Sequence, residues 1–188
     1  MRIHIIVACD SRGGIAKDGK IPWYFPSDFA YFKRITTGNG AECAVIMGRK
    51  TWVSLPKKPL PGRLNLVITK TGGNAEGLSE EVPWFWSIMD ALSWCIEQNV
   101  SDTFIIGGEQ VYKEVMEYFP DVLYSIYLTK IERDYSCDQF FPVNQIEKIG
   151  MVLEKDPTIE ISEDGTRLIY NHYMYPTKET NINTDFVL

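Results

Sequence analysis

No run of apolar residues in this sequence approaches the roughly 20 that a helix needs to span a bilayer. The amino-terminal MRIHIIVACD is too short and too strand-like for a secretory signal. A membrane partner is therefore not expected, and a cytoplasmic location is. An excess of positive charge is missing too: the formal net charge is −6 and the pI is about 5.0. General nucleic-acid binding needs a basic footprint, so it is excluded. An anionic ligand would have to meet local basic spots set against the overall field. Cysteine is scarce and scattered. Cys9, Cys43, Cys95 and Cys137 have neither metal-ligand nor redox-motif spacing, so no metal site is expected. Their apolar company reads as buried free thiols in a reducing compartment. Repeats, low-complexity blocks and linkers are also absent. That leaves one domain over residues 1–175 and a polar tail over 176–188 without a clear period.

What is present is an ordinary globular composition: 188 residues, 45% hydrophobic and 23% charged, with aromatics at 13%. That length supports one sizeable core. Strand-like and helix-like segments alternate. Ile3–Cys9 is a nearly continuous apolar run, as expected of a strand buried on both faces. A loop over Asp10–Ile21 precedes a helix from about Ser27 to Thr37, with Ser27 available as its cap and Pro26 fixing its start. Ala44–Met47 and Leu64–Thr69 read as strands, with a short helix near Lys50–Leu55. Val82–Trp86 is another candidate strand. Ser87-Ile-Met-Asp90 resembles a capping box and opens a helix to about Gln98. Thr103–Ile106 runs into Gly107-Gly108 and a helix over Glu109–Phe119, and Val122–Ile131 reads as a long strand. Met151–Lys155 and two runs around Asp164-Gly165 read as further strands, the last two joined by a tight primed turn. This order predicts an α/β fold: a mostly parallel twisted sheet of about eight strands with an antiparallel C-terminal strand, flanked by about four helices.

The most informative segment is Ile21–Arg34, IPWYFPSDFAYFKR. It sets one carboxylate, Asp28, in the first turn of the predicted helix among Trp23, Tyr24, Phe25, Phe29, Tyr31 and Phe32. Asp28 shares a helical face with Phe32 and Ile35. An acid among aromatic rings is costly unless something pairs with it, and a flat nitrogen heterocycle would. The plainer alternative is an acid complementing a helix dipole. Three strand ends also suit phosphate: Gly48-Arg49-Lys50-Thr51, Thr69-Lys70, and Ile106-Gly107-Gly108-Glu109-Gln110-Val111-Tyr112. Each alone has a bland reading as a basic or tight turn. Together they occupy the carboxyl ends of strands, where ligands bind in open α/β sheets. Arg63 precedes a strand, and arginine is the best fork for a carboxylate.

The strings VACDSRGGIAKDGKIPW, PSDFAYFKR, VIMGRKTWVSLPKKPLPGR, FIIGGEQVY, YLTKI and DQFFP occur in the order and at the spacing of one family. The chain resembles dihydrofolate reductase from Ile3 to about Tyr175. The resemblance implies an NADPH-dependent oxidoreductase that reduces 7,8-dihydrofolate to 5,6,7,8-tetrahydrofolate for one-carbon metabolism and is a target of antifolates. It implies that Asp28 grips the pterin amide edge, that Thr129 hydrogen-bonds this acid, and that Trp23 holds an ordered water. Ile6, Ala8, Phe29, Phe32, Leu55, Leu60 and Ile106 match walls of the substrate pocket, and Arg63 the partner of the glutamate tail. Ala8 and Ile15 match backbone contacts to the nicotinamide. Gly48, Arg49, Lys50 and Thr51 match the cofactor phosphate site; Ile68, Thr69 and Lys70 match its adenosine side. Ile106 to Tyr112 match the remaining cofactor contacts, with the Gly107–Gly108 peptide expected to be cis. Gly13–Trp23 matches a loop that closes over the nicotinamide. Gln110 stands where many bacterial members carry a basic residue, which weakens the case for NADPH over NADH without removing it. A monomer is expected. Two other readings are weighed: a binding protein of the same fold without turnover, against which the complete set Trp23, Asp28, Thr129 and Gly107-Gly108 argues, and a pyrimidine reductase of flavin biosynthesis, which has no need of Asp28 together with Arg63.

Overall fold

The computed structural model describes residues 1–38, 42–73, 78 and 81–176. Apart from Pro176, the expected tail lies outside the described residues. In chain order the elements are β1 (Arg2–Cys9), β2 (Gly14–Ala16), α1 (Pro26–Thr37), β3 (Cys43–Gly48), α2 (Arg49–Ser54), β4 (Leu64–Ile68), β5 (Trp84–Phe85) and α3 (Ile88–Glu97). They continue with β6 (Asp102–Ile105), α4 (Glu109–Tyr118), β7 (Ser125–Ile131), β8 (Gln139–Phe140), α5 (Gln145–Lys148), β9 (Val152–Leu153), β10 (Thr158–Ile161) and β11 (Arg167–Met174).

One sheet of nine strands runs in the order β10-β11-β7-β1-β6-β3-β4-β5, with β9 paired to β11. β1, β3, β4, β5, β6 and β7 run parallel to one another. β11 runs antiparallel to β7, and β9 and β10 run antiparallel to β11. The central strands are apolar on both sides because helices cover both faces. Ile5, Val7 and Cys9 of β1 face the core that holds α3 and α4. Ile6 joins Val45, Met47, Val67 and Phe104 in the core beneath α1 and α2. A one-residue shift in β1 would exchange these two sets, so its register is strongly specified.

Several local expectations need correction. Phe25, not Ser27, is the N-cap of α1, and it makes no side-chain cap. Pro26 takes the first helical position, where its missing N–H costs nothing. The Ser27 hydroxyl instead hydrogen-bonds Tyr170 across the site. Ser87 does cap α3, accepting from the Asp90 N–H at 3.1 Å. The long strand begins only at Ser125, because Pro120–Val122 forms a 3-10 turn closed by the Leu123 N–H on the Pro120 carbonyl at 3.0 Å. Asp164-Gly165 lies inside a longer loop rather than a tight primed turn. The Asp164 carboxylate there accepts from the Ser162 hydroxyl at 2.6 Å and the Thr166 N–H at 3.1 Å.

The segment Asp10–Ile21 also holds a strand the sequence did not indicate, β2, which pairs with β8. Asp10 organises it. Its buried carboxylate accepts from the N–H groups of Arg12 at 2.9 Å, Gly14 at 2.7 Å and Tyr135 at 3.2 Å. Burial pushes the Asp10 pKa up, but these donors and the Cys137 thiol outweigh it and the net shift is downward. Gly14 is required by space: a Cβ there would lie 2.4 Å from the Cys137 Cβ.

Candidate active site

Asp28 stands in the first turn of α1 with its side chain turned to the sheet. β7 brings Thr129 beneath it, and Thr129 is register partner to Ala8 on β1 and Tyr170 on β11. The Thr129 hydroxyl donates to the Asp28 carboxylate. Burial raises the Asp28 pKa above its ordinary value, the Thr129 bond lowers it in part, and the negative charge of Glu160 raises it again. Among the described residues no cation forms an ion pair with this acid. Its other neighbours are the phenols of Tyr31 and Tyr170, whose rings lie 4.7 Å apart. The Tyr170 hydroxyl donates to Glu160 at 3.2 Å.

The aromatic wall is only partly as expected. Trp23 and Phe25 are buried with Ile131 and Leu168, and Ala8 and Tyr135 pack against them. Phe32 and Ile35 are half-buried against Ile6 and Trp52, together with Leu55, Leu60 and Ile106. Tyr24 and Phe29, however, stack on each other at the surface, 5.4 Å apart. The residue after Asp28 is rotated about 100° around the helix, which takes Phe29 off the buried face. Arg63 reaches this side of the sheet. It donates to the Pro61 carbonyl at 3.1 Å and to the Thr36 hydroxyl, and its guanidinium lies 5.8 Å from the Phe32 ring centre. It thus stands at the rim of the apolar wall with its orientation already set.

The second group of predicted residues meets at the neighbouring strand ends. The Gly48 N–H donates to the Gly107 carbonyl at 2.7 Å, joining the ends of β3 and β6. Gly48 is also the register partner of Ile68, next to Thr69 and Lys70. The Gly107–Gly108 peptide is cis. A Cβ on Gly108 would come within 3.1 Å of the Thr51 hydroxyl, so bare backbone, Thr51 and the start of α4 form a narrow cradle. Arg49 is half-buried beside it, and Lys50 is exposed. Lys70 donates to the Trp86 carbonyl at 3.3 Å. Val111 and Tyr112 turn into the core instead, the Tyr112 hydroxyl donating to the Ile6 carbonyl at 2.9 Å. Glu109 is half-buried and paired with Lys113, while Gln110 is exposed. Ile15 on β2 packs against the larger core. Bare backbone at Gly48 and Gly108, a hydroxyl and flanking cations fit the pyrophosphate of a dinucleotide.

Tyr170 and Glu160 are neighbours of the acid that the sequence reading missed, whereas Tyr31 is one that it named. Tyr31 lies three residues after Asp28 on one helix. Tyr170 and Glu160 come from β11 and β10, whose register no local pattern encodes. Thr129→Val is expected to lower kcat/KM on the order of tenfold, the worth of one hydrogen bond to a charged group. It should also raise the pKa seen in the pH–rate profile, because the lost bond is one that favours the carboxylate. A steady-state pH series checks both.

A parallel sheet that carries a half-buried acid against an apolar wall and a glycine cradle at its strand ends defines a class: an α/β protein built to hold a flat heterocycle and a nucleotide. The comparisons with known proteins make this specific. The family model described as dihydrofolate reductase matches residues 2–173. A dihydrofolate reductase of Schistosoma mansoni is 34% identical over 187 residues, covering 95% of this chain and 99% of that protein. One from Neisseria meningitidis serogroup B is 34% identical over 174 residues, covering 93% and 98%. A bifunctional dihydrofolate reductase-thymidylate synthase of Daucus carota is 39% identical over 150 residues; these are 74% of this chain, which spans only 28% of the carrot protein. The chain belongs to the dihydrofolate reductase family. Among the described residues no helix is long and apolar enough to cross a membrane, and no cluster of His, Cys, Asp and Glu suits a metal ion.

Proposed function

We propose that this chain reduces 7,8-dihydrofolate to 5,6,7,8-tetrahydrofolate with NADPH, as a cytoplasmic monomer with a single domain over 1–175 and a tail over 176–188. The observation that carries the reading is the Asp28–Thr129 pair, desolvated and without a cation among the described residues, on the sheet whose β6 end leads into the Gly107–Gly108 cradle. A buried carboxylate lacking a counter-charge is costly. The amide edge and exocyclic amine of a pterin would offset that cost with two donors.

In this reading Asp28 grips and orients the pterin, and Thr129 fixes the carboxylate. Ile6, Ala8, Phe32, Leu55, Leu60 and Ile106 wall the ring and exclude water. Arg63 takes the α-carboxylate of the glutamate tail. Gly48, Arg49, Lys50, Thr51, Ile68, Thr69, Lys70 and the 106–112 segment hold the dinucleotide, with Ala8 and Ile15 at the nicotinamide. The bound nicotinamide supplies the hydride. The chain aligns two flat rings at near-attack separation. The proton reaches the neighbouring ring nitrogen through a water held near Trp23, because a short Asp at the amide edge does not extend that far. Since burial raises the Asp28 pKa, the rate falls as pH rises through that raised value and the proton supply is lost.

The test is a steady-state assay of dihydrofolate with NADPH and with NADH, followed by loss of nicotinamide absorbance. NADPH is expected to be preferred by about tenfold or more in kcat/KM, the worth of a charge-assisted contact to the extra phosphate. Oxidation of neither cofactor in the presence of dihydrofolate overturns the reading.

A further inference from the structure

The strands that present Thr129 and Tyr170 to Asp28 turn their intervening side chains to the opposite face. There Cys9 and Ile169 flank Lys130 in register, and Asn171 sits beside Leu128. Ser11–Gly13 and Val143-Asn144 lie over this end of the sheet and border a half-open cavity of about 410 Å³. That is within the range of about 300–1,000 Å³ typical of small-molecule sites.

The polar groups lining it are mostly unused. The Ser11 hydroxyl, the Lys130 ammonium and the Asn144 amide make no hydrogen bond or ion pair among the described residues. Asn171 is only 7% exposed. It donates its amide protons to the carbonyls of Leu128 at 3.2 Å and Ile169 at 3.0 Å, which leaves its Oδ1 without a donor. Arg12 has only a loose pair with Asp134 at 3.6 Å, both side chains being well exposed. The one acid in the wall, Asp10, is occupied by backbone N–H groups. Two cations therefore face the cavity against one saturated carboxylate, in a chain of net charge −6. Leu128, Val143, Ile169 and the Tyr173 ring complete an apolar floor.

We propose that this cavity is a second binding site, for a small organic anion: a carboxylate on a compact apolar ring that also carries one hydrogen-bond donor. Arg12 and Lys130 take the carboxylate, the floor takes the ring, and Asn171 Oδ1 accepts from the donor. Ser11–Gly13 run directly into β2, which carries Ile15. Resting on the function proposed above, occupancy of the cavity then alters the affinity for the nicotinamide cofactor.

The test is a titration of the isotope-labelled full chain with 4-hydroxybenzoate, followed by amide chemical shifts. Saturable shifts are expected at Ser11, Arg12, Gly13 and Lys130, undisturbed by an antifolate saturating the Asp28 cleft. Arg12→Ala and Lys130→Ala, both at exposed positions, should each weaken binding about fivefold or more, as loss of a charge-assisted contact requires. The neutral 4-hydroxybenzamide should bind weaker by a similar factor. Shifts that never saturate, that move only with the Asp28 cleft, or that persist unchanged in both variants overturn the site. A KM for NADPH unchanged by saturating 4-hydroxybenzoate overturns the coupling. Failure of the chain to reduce dihydrofolate would sink the function proposed above and leave the titration to decide the cavity on its own.

Discussion

Asp28→Asn is expected to lower kcat/KM for dihydrofolate by about 10²- to 10⁴-fold, the range for removing a positioned acid–base group. The variant should also be the more stable protein at neutral pH. The sign follows from linkage. Burial raises the Asp28 pKa in the folded chain. A raised carboxyl favours the fold while protonated, and that contribution is lost as pH rises through the folded value. Above that raised value the native site holds a carboxylate that the fold disfavours. An isosteric amide removes the penalty and still accepts from Thr129. Thermal melts of both proteins at pH 7 and again in the acid range check this: the variant melts higher at pH 7, and the gap closes as Asp28 protonates. Equal melting temperatures at pH 7 would show that the acid is solvated and that the site is built differently. A variant that turns over at the full rate across neutral pH would remove Asp28 from the chemistry.

Gly107→Ala is expected to destabilise the chain by about 2–4 kcal/mol, combining backbone strain with overpacking. Gly107 has φ +108°, where a side chain is strained. An added Cβ would lie 2.9 Å from the Tyr112 ring. That ring cannot retreat, because it is buried and tied by its hydroxyl to the Ile6 carbonyl. Gly108→Ala differs in kind. Its φ is −81°, which any residue adopts. Its Cβ meets the Thr51 hydroxyl, in the cradle rather than in the core. It should unfold close to wild type and raise KM for NADPH by about tenfold or more, since it displaces backbone that approaches the phosphates. Chemical denaturation and steady-state kinetics on the two alanine variants separate a core glycine from a binding glycine. Equal effects of both variants on stability would contradict that division.

The two glycines also show how the sequence and the structure divide the information. That a Gly-Gly pair follows a buried strand is legible from composition and pattern, because both signals are local. Which of the two faces the core depends on Tyr112 and Thr51, which belong to different helices. Likewise the placement of Asp28 on a helix with Phe32 and Ile35 follows from a period of 3.6. The exposure of Phe29, the same helix read one residue later, follows from that geometry too, although aromatic density obscured it.

Taken by itself, the sequence determined the alternation of strands and helices, the apolar central strands, the lone acid in the first turn of α1 and the phosphate-suited strand ends. Each is set by neighbours within a few residues, through periodicity, turn chemistry and the burial of apolar runs. Only the tertiary structure decided that Tyr170 and Glu160 join Thr129 at Asp28, that Asp10 gathers the Arg12, Gly14 and Tyr135 amides, and that β2 pairs with β8. It alone also opened a cavity behind β7 and β11. Those contacts join residues up to about a hundred positions or more apart. They depend on strand register and sheet order, which emerge when whole elements pack and leave no mark on any short stretch of chain.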